Sequence, residues 1–164
     1  MIIKRWRVGI NLRPLNIEDE QFMRLALEEA KRAGEEGEVP VGAVLILGGK
    51  VIGRGRNRPI ALSDPTAHAE ILALREGAAG VENYRLPGST LYVTVEPCVM
   101  CTGALLQARV RRLVFGADDP KAGAVQSLYF LLEDERFNHR VEVISGILQD
   151  ECRELLVRFF QKRR

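Results

Sequence analysis

The 164-residue sequence predicts an α/β fold of three layers, with helices on both faces of a mixed five-stranded sheet. Three observations carry that expectation. A β-hairpin pattern comes early in the chain, three more short apolar strands then alternate with helix-like stretches, and a 46% hydrophobic content suits one compact domain that buries its own core.

Residues 1–16 show no sustained period and read as an N-terminal extension packed loosely on a domain spanning 17–164. From Ile17 the residues Phe22, Leu25, Ala26, Ala30 and Ala33 recur at helical spacing, with Asn16 as N-cap and Gly34 or Gly37 as the stop. Residues 41–47, rich in β-branched side chains, lead through Gly48-Gly49 into 51–56, which reads as a hairpin. Pro59 and Pro65 bracket a loop, and a second helix opens on Thr66-Ala67-His68-Ala69-Glu70. Residues 80–89 connect to a strand at 91–95 that Pro97 stops. A third helix follows at once, with Pro97 expected in its first turn and Cys98, Cys101, Leu105 and Leu106 along it. Then come a short strand at 112–116, a polar loop at 117–126 and one or two helical turns at 127–133. A last strand at 141–145 precedes a helix at 150–162 that is expected to bury Leu155, Leu156, Phe159 and Phe160.

Twenty-four Lys and Arg against 22 Asp and Glu leave a formal charge of +2, too small to mark a nucleic-acid binder by total charge. Two basic segments, Lys4-Arg5-Trp6-Arg7 and Gln161-Lys162-Arg163-Arg164, suit either a phosphate backbone or solvated chain ends. No run approaches the roughly 18 apolar residues of a spanning helix, and no secretory signal is legible. Three cysteines, an odd number, fit a disulfide framework poorly and suit a reducing compartment, so a cytoplasmic location is expected.

The chemistry-bearing residues are His68, Glu70, Cys98 and Cys101. One imidazole and two thiolates suit zinc, and three protein ligands leave a fourth position for water, the arrangement of a catalytic site. Cys98 and Cys101 stand at i and i+3, so at the start of a helix both sulfurs reach one ion. The unpaired N–H groups of that helix start favour thiolate. Glu70, two residues from His68, is placed to accept a proton from an activated water and deliver it again. His-x-Glu followed by Pro-Cys-x-x-Cys is the signature of zinc nucleobase deaminases. Cys-x-x-Cys alone also fits a redox pair or half of a structural zinc site. A structural site lacks a clear fourth ligand, for Cys152 reads as a small core residue and His139 as a loop hydrogen-bonder.

With those motifs, residues 17–164 resemble the bacterial tRNA-specific adenosine deaminases, which have a cytidine deaminase-like fold and convert the wobble adenosine of a tRNA anticodon to inosine. The likeness includes Glu38-Val39-Pro40-Val41-Gly42-Ala43-Val44, Asn57-Arg58-Pro59, Asp64-Pro65-Thr66-Ala67-His68-Ala69-Glu70, Glu96-Pro97-Cys98-Val99-Met100-Cys101 and Phe115-Gly116-Ala117-Asp118-Asp119. The resemblance implies one zinc per subunit on His68, Cys98 and Cys101, with Glu70 as proton shuttle. It implies that Asn57, Val39 and Ala69 meet the target nucleoside and that Asp119 lies near its sugar and backbone. Phe160 would stack on RNA beside the basic C-terminus, and Lys121 and Arg140 would extend the basic surface. It further implies a homodimer acting on the anticodon stem-loop of an arginine tRNA. Two other readings use the same residues: a deaminase of a free base or nucleoside of guanine or cytidine type, and a non-catalytic zinc- and RNA-binding partner subunit.

Overall fold

The protein was analysed as a computed structural model that describes residues 16–164. The extension at 1–15, including Lys4-Arg5-Trp6-Arg7, lies outside the described residues. The helix α1 (Ile17–Glu35) begins where expected, its Asn16 side chain accepting the Glu18 N–H at 3.1 Å. Strands β1 (Gly42–Leu47) and β2 (Lys50–Arg56) form the hairpin. Gly48 and Gly49 both take positive φ, 58° and 75°, which a two-residue turn of this hand requires.

The segment between Pro59 and Pro65 is not wholly a loop, for Pro59–Leu62 makes one helical turn, α2. Pro59 starts it, and the Glu38 carboxylate accepts the N–H groups of Ile60 at 3.4 Å and Ala61 at 2.8 Å, donors that an isolated turn leaves unpaired. Next come α3 (Ala69–Val81), β3 (Thr90–Val95), α4 (Val99–Gln107) and β4 (Arg112–Ala117). The chain closes with β5 (Glu142–Ser145) and α5 (Gln149–Gln161). Instead of one or two turns across 127–133, only Leu131–Glu133 coils, as a 3-10 turn. The Ser127 N–H and hydroxyl are held by Glu96, which draws the start of that stretch out of helical geometry.

The sheet order is β2-β1-β3-β4-β5, antiparallel across the first two pairings and parallel across the last two. Alternation along the strands sends Ala43, Leu45, Leu91, Val93, Leu113 and Phe115 to one face, where α3 and α4 cover them. Val44, Ile46, Tyr92 and Val114 face α1 and Cys152 of α5. This is the three-layer mixed sheet that the pattern predicts. On α5 the expected burial is not met: Leu155, Leu156 and Phe159 are half-buried, Phe160 is 49% exposed, and Cys152 is the buried residue of that helix. The helix packs over β4 and β3, with Cys152 near its start against Gly116, and leaves Phe160 in its last turn exposed.

Three glycines let backbone meet backbone between the layers. A Cβ on Gly42 would stand 2.0 Å from the Ala26 carbonyl oxygen of α1. On β2, a Cβ at Gly53 would stand 2.2 Å from the Ala73 oxygen and one at Gly55 2.0 Å from the Ala69 oxygen, both of α3. Helix α3 therefore rests directly on β2, and its first turn is fixed relative to the sheet.

Candidate metal centre and active site

Two helix N-termini meet at this centre. His68 is the N-cap of α3 and Cys98 the N-cap of α4, both in extended conformation, and Cys101 stands in the first turn of α4. Pro97 lies before the cap and not in the first turn, because Cys98 still has strand-like dihedrals and the Pro97 carbonyl accepts the Ala124 N–H at 2.9 Å. His68 Nδ1 is 3.7 Å from Cys98 Sγ and 3.5 Å from Cys101 Sγ. Among the described residues this is the one His, Cys, Asp or Glu group whose ligand atoms converge, all within 4.8 Å of one another.

Those separations suit zinc. Bond lengths of about 2.3 Å to sulfur and about 2.0 Å to nitrogen in a tetrahedron give N···S edges of roughly 3.5 Å. The donor set, one imidazole and two sulfurs, is the soft combination that zinc takes, and three donors leave a fourth direction open. Cys152 is buried in the α1 and α5 cluster, and His139 donates from Nε2 to the Val110 carbonyl at 2.7 Å, so neither joins the group.

Charge is unevenly placed here. A hydrogen bond from the Cys101 thiol, with His68 adding to it, draws Cys98 down to about 4 against the effect of burial. Cys101 is pushed up by that same hydrogen bond and by burial. His68 is raised, first by its contact with Cys98. Glu70 is buried, in the first turn of α3, and burial raises it to about 6 while His68 pulls the other way.

The resemblance-derived contacts fall around this centre unevenly. The Asn57 Oδ1 accepts the Ala69 N–H at 2.9 Å, its own N–H reaches the Val41 carbonyl at 3.1 Å, and the Arg58 N–H reaches the Ala67 carbonyl at 3.0 Å. Asn57, Ala69 and the segment after Val39 are thus knitted to the turn that bears His68. Val39 is half-buried, and Ala69 is fully buried. Asp119 is half-buried in the loop after β4, where its Oδ1 accepts the N–H groups of Lys121 at 3.0 Å and Ala122 at 3.2 Å. Lys121 is exposed, and Arg140 reaches back to the Asp134 carbonyl at 3.4 Å. Phe160 stands apart at the end of α5. The neighbouring Arg163 stacks on Phe159 at 4.2 Å and donates to the Gly37 carbonyl, which ties the C-terminus to the loop that leads into Val39.

Of the buried carboxylates that the sequence does not single out, two organise the loops around this centre. Glu38 organises α2, and Glu96 gathers the loop after β4. Burial raises Glu96, but hydrogen bonds from Ser127, Gln126, Asp119 and Val125 outweigh it and hold the carboxyl below its ordinary value. The available signal was a charged residue just before a proline, directly after a strand in Val95-Glu96-Pro97 and one residue removed in Glu38-Val39-Pro40.

A family model described as MafB19-like deaminase matches residues 17–164. The tRNA-specific adenosine deaminase of Haemophilus influenzae is 56% identical over 147 residues, covering 89% of this chain and 85% of that protein. That of Bacillus subtilis is 48% identical over 147 residues, covering 90% and 91%. A solved structure from studies of A-to-I editing by tRNA:A34 deaminases at the wobble position of transfer RNA has a TM-score of 0.81 at 50% identity, covering 83% of this chain and 99% of that one. Guanine deaminase from Nitrosomonas europaea has a TM-score of 0.72 at 25% identity, covering 97% and 98%. With the His68, Cys98 and Cys101 cluster in place on the same fold, similarity of this extent shows that the chain belongs to the family of tRNA-specific adenosine deaminases.

Proposed function

We propose that this protein hydrolytically deaminates adenosine to inosine at the wobble position of a tRNA anticodon, within a deaminase domain formed by residues 17–164. The observation that carries the reading is the convergence of His68, Cys98 and Cys101 beside the buried carboxyl of Glu70, on a chain 56% identical to a tRNA-specific adenosine deaminase. His68 and the two cysteine sulfurs would hold one zinc ion. When bound, zinc supplies the Lewis acidity that lowers the pKa of a water toward about 7.

Glu70 handles the protons. Its carboxyl takes one from the water and delivers it to the ring nitrogen beside the amine-bearing carbon, then carries a second to the departing amine, so that water is consumed and ammonia leaves. The target base enters splayed from the anticodon loop, where a single-stranded nucleotide is cheap to extract. Asn57 offers its amide donor to the base, Val39 and Ala69 bound its pocket, and Asp119 accepts a hydrogen bond from a ribose hydroxyl. The exposed Phe160 gives a stacking face beside Lys162 and Arg164.

The protein works as a homodimer on an arginine tRNA in the cytoplasm. Two clefts of about 340 and 360 Å³ flank α4, and exposed Val99, Phe137 and Tyr84 on their walls supply apolar surface for a second copy. No helix among the described residues is long and apolar enough to cross a membrane.

The test is inosine formation, read by mass spectrometry, when zinc-loaded protein meets an arginine-type anticodon stem-loop with adenosine at the wobble position. Conversion there, with none of free adenosine, is the expected result. Conversion of free guanine or cytidine instead supports the small-molecule deaminase, for which the N. europaea likeness speaks. Inertness toward all of them supports the non-catalytic subunit.

A further inference from the structure

Glu96 is 3% exposed, and five donors of the loop after β4 converge on its carboxylate. The N–H groups of Val125, Gln126 and Ser127 reach Oε1 at 3.1, 2.7 and 3.0 Å, and the Asp119 N–H reaches Oε2 at 3.0 Å. The Ser127 hydroxyl also donates to Oε2. Two backbone links reinforce the wrap, Glu96 N–H to the Ala117 carbonyl at 2.8 Å and Ala124 N–H to the Pro97 carbonyl at 2.9 Å. At Gly123 the loop comes so close that a Cβ would stand 2.4 Å from the Glu96 carboxyl carbon.

This carboxylate has no capacity left for a substrate, and the deamination chemistry does not call on it. Its backbone nevertheless stands two residues from Cys98, at the carboxyl ends of the parallel strands β3 and β4, the edge where α/β sheets place their ligands. Facing outward, the loop carries exposed Asp118 and Lys121, and exposed Leu128, Tyr129 and Phe130 follow it. A buried charge thus sits beneath a loop whose exposed side chains are both charged and aromatic, two residues from Cys98.

We infer that Glu96 is a positioning residue, holding loop 118–127 in register with the Cys98 turn so that the loop forms one wall of the substrate entrance and bears the RNA outside the catalytic pocket. The inference rests on the deaminase reading above. Because Glu96 does not face the reacting base, loosening it weakens the grip on the polynucleotide and leaves the rate of a bound base nearly unchanged. A merely structural role gives the other pattern, a loss of zinc or stability with turnover falling in step.

Glu96→Gln keeps size and shape but replaces one acceptor oxygen by an NH2 group, so either the Asp119 donor or the Val125 to Ser127 donors lose their acceptor, whichever way the amide turns. Ser127→Ala removes a single donor and leaves the other four. Zinc content, kcat, KM and anticodon stem-loop affinity by fluorescence anisotropy are read for both variants. Glu96→Gln is expected to keep its zinc and a kcat within about threefold of wild type while KM and Kd rise about tenfold, the worth of a lost charge-assisted hydrogen bond or two. Ser127→Ala moves KM and Kd the same way by about threefold. The inference is overturned if Glu96→Gln loses zinc, loses kcat at unchanged KM, or binds RNA as wild type does. Should Glu96→Gln not fold, Ser127→Ala decides alone, and an unchanged Kd there overturns it. Failure of the wild type to form inosine counts against the deaminase reading instead, while the anisotropy comparison still judges Glu96.

Discussion

Asn57 Oδ1 accepts the Ala69 N–H at 2.9 Å, so the residue that follows β2 and the first residue of α3 are joined one position from His68. The bond also commits the amide oxygen to the protein, which leaves the NH2 as the group able to donate elsewhere. Asn57→Asp keeps the acceptor and loses that donor. The expected result is a kcat/KM on the stem-loop lower by about tenfold or more, with melting temperature and zinc content near wild type. Asn57→Ala loses both roles and is expected to cost about 1 kcal/mol or more of stability as well, measured by chemical denaturation.

Glu70→Ala is expected to retain zinc and fold while losing about a hundredfold or more in turnover, the usual share of a positioned acid/base. Metal content and single-turnover inosine formation on the same preparation check it. Near wild-type turnover in a zinc-replete variant excludes Glu70 as the proton carrier.

Stripping zinc with a chelator is expected to abolish inosine formation, leave the far-UV circular dichroism nearly unchanged and be reversed by added zinc. The reason is location. The two apolar clusters on either face of the sheet are built without help from His68, Cys98 or the open side of the cluster. Loss of the dichroism on chelation counts against a catalytic ion and for a structural one.

Acid sensitivity is expected from Asp19. Its carboxylate is buried and accepts from Arg112 at 2.8 and 2.6 Å and from the Tyr92 hydroxyl at 2.6 Å, pinning α1 to β3 and β4. Burial raises its pKa, but these bonds outweigh that and leave it lowered. A carboxyl with a lowered folded-state pKa contributes stability above its unfolded value, about 3.9, and loses that contribution as pH falls through the folded value. The stability gap between wild type and Asp19→Asn is therefore expected to be widest near neutrality and to narrow below about pH 4. Asp19→Ala, which strands the Arg112 guanidinium, is expected to cost about 3 kcal/mol or more at pH 7. Denaturant titrations across pH measure both.

Much of this was legible because the signals are local. Gly48-Gly49 marks the hairpin, Asn16 starts α1, and the β-branched run ending at Val95 stands out against Pro97. The spacing of His68, Glu70, Cys98 and Cys101 carries its chemistry on the face of the sequence. What stayed hidden depends on partners far along the chain. Glu96 meets Val125 to Ser127 only once β4 has returned beside β3, so the stretch after 126 read as helix when its donors were already engaged. Arg163 finds Gly37 across the fold, 126 positions away, which no window of sequence reveals. Phe160 shares the helical period of Leu156 and Phe159, but that period does not tell which turns of α5 the rest of the fold covers.

The direct seating of Gly55 against the Ala69 carbonyl oxygen and of Gly53 against that of Ala73 leaves no side chain of these two residues between β2 and the first turns of the helix that presents Glu70. A floor of that kind has no adjustable part. Substitution there meets main chain, so neither drift nor design can retune the reach of Glu70 by trading one residue size for another. On the proposed reading, a change of preferred base comes instead through the segments around Val39, Asn57 and Asp119. The backbone seat that fixes the start of α3 thus makes specificity, on that reading, a separately variable property.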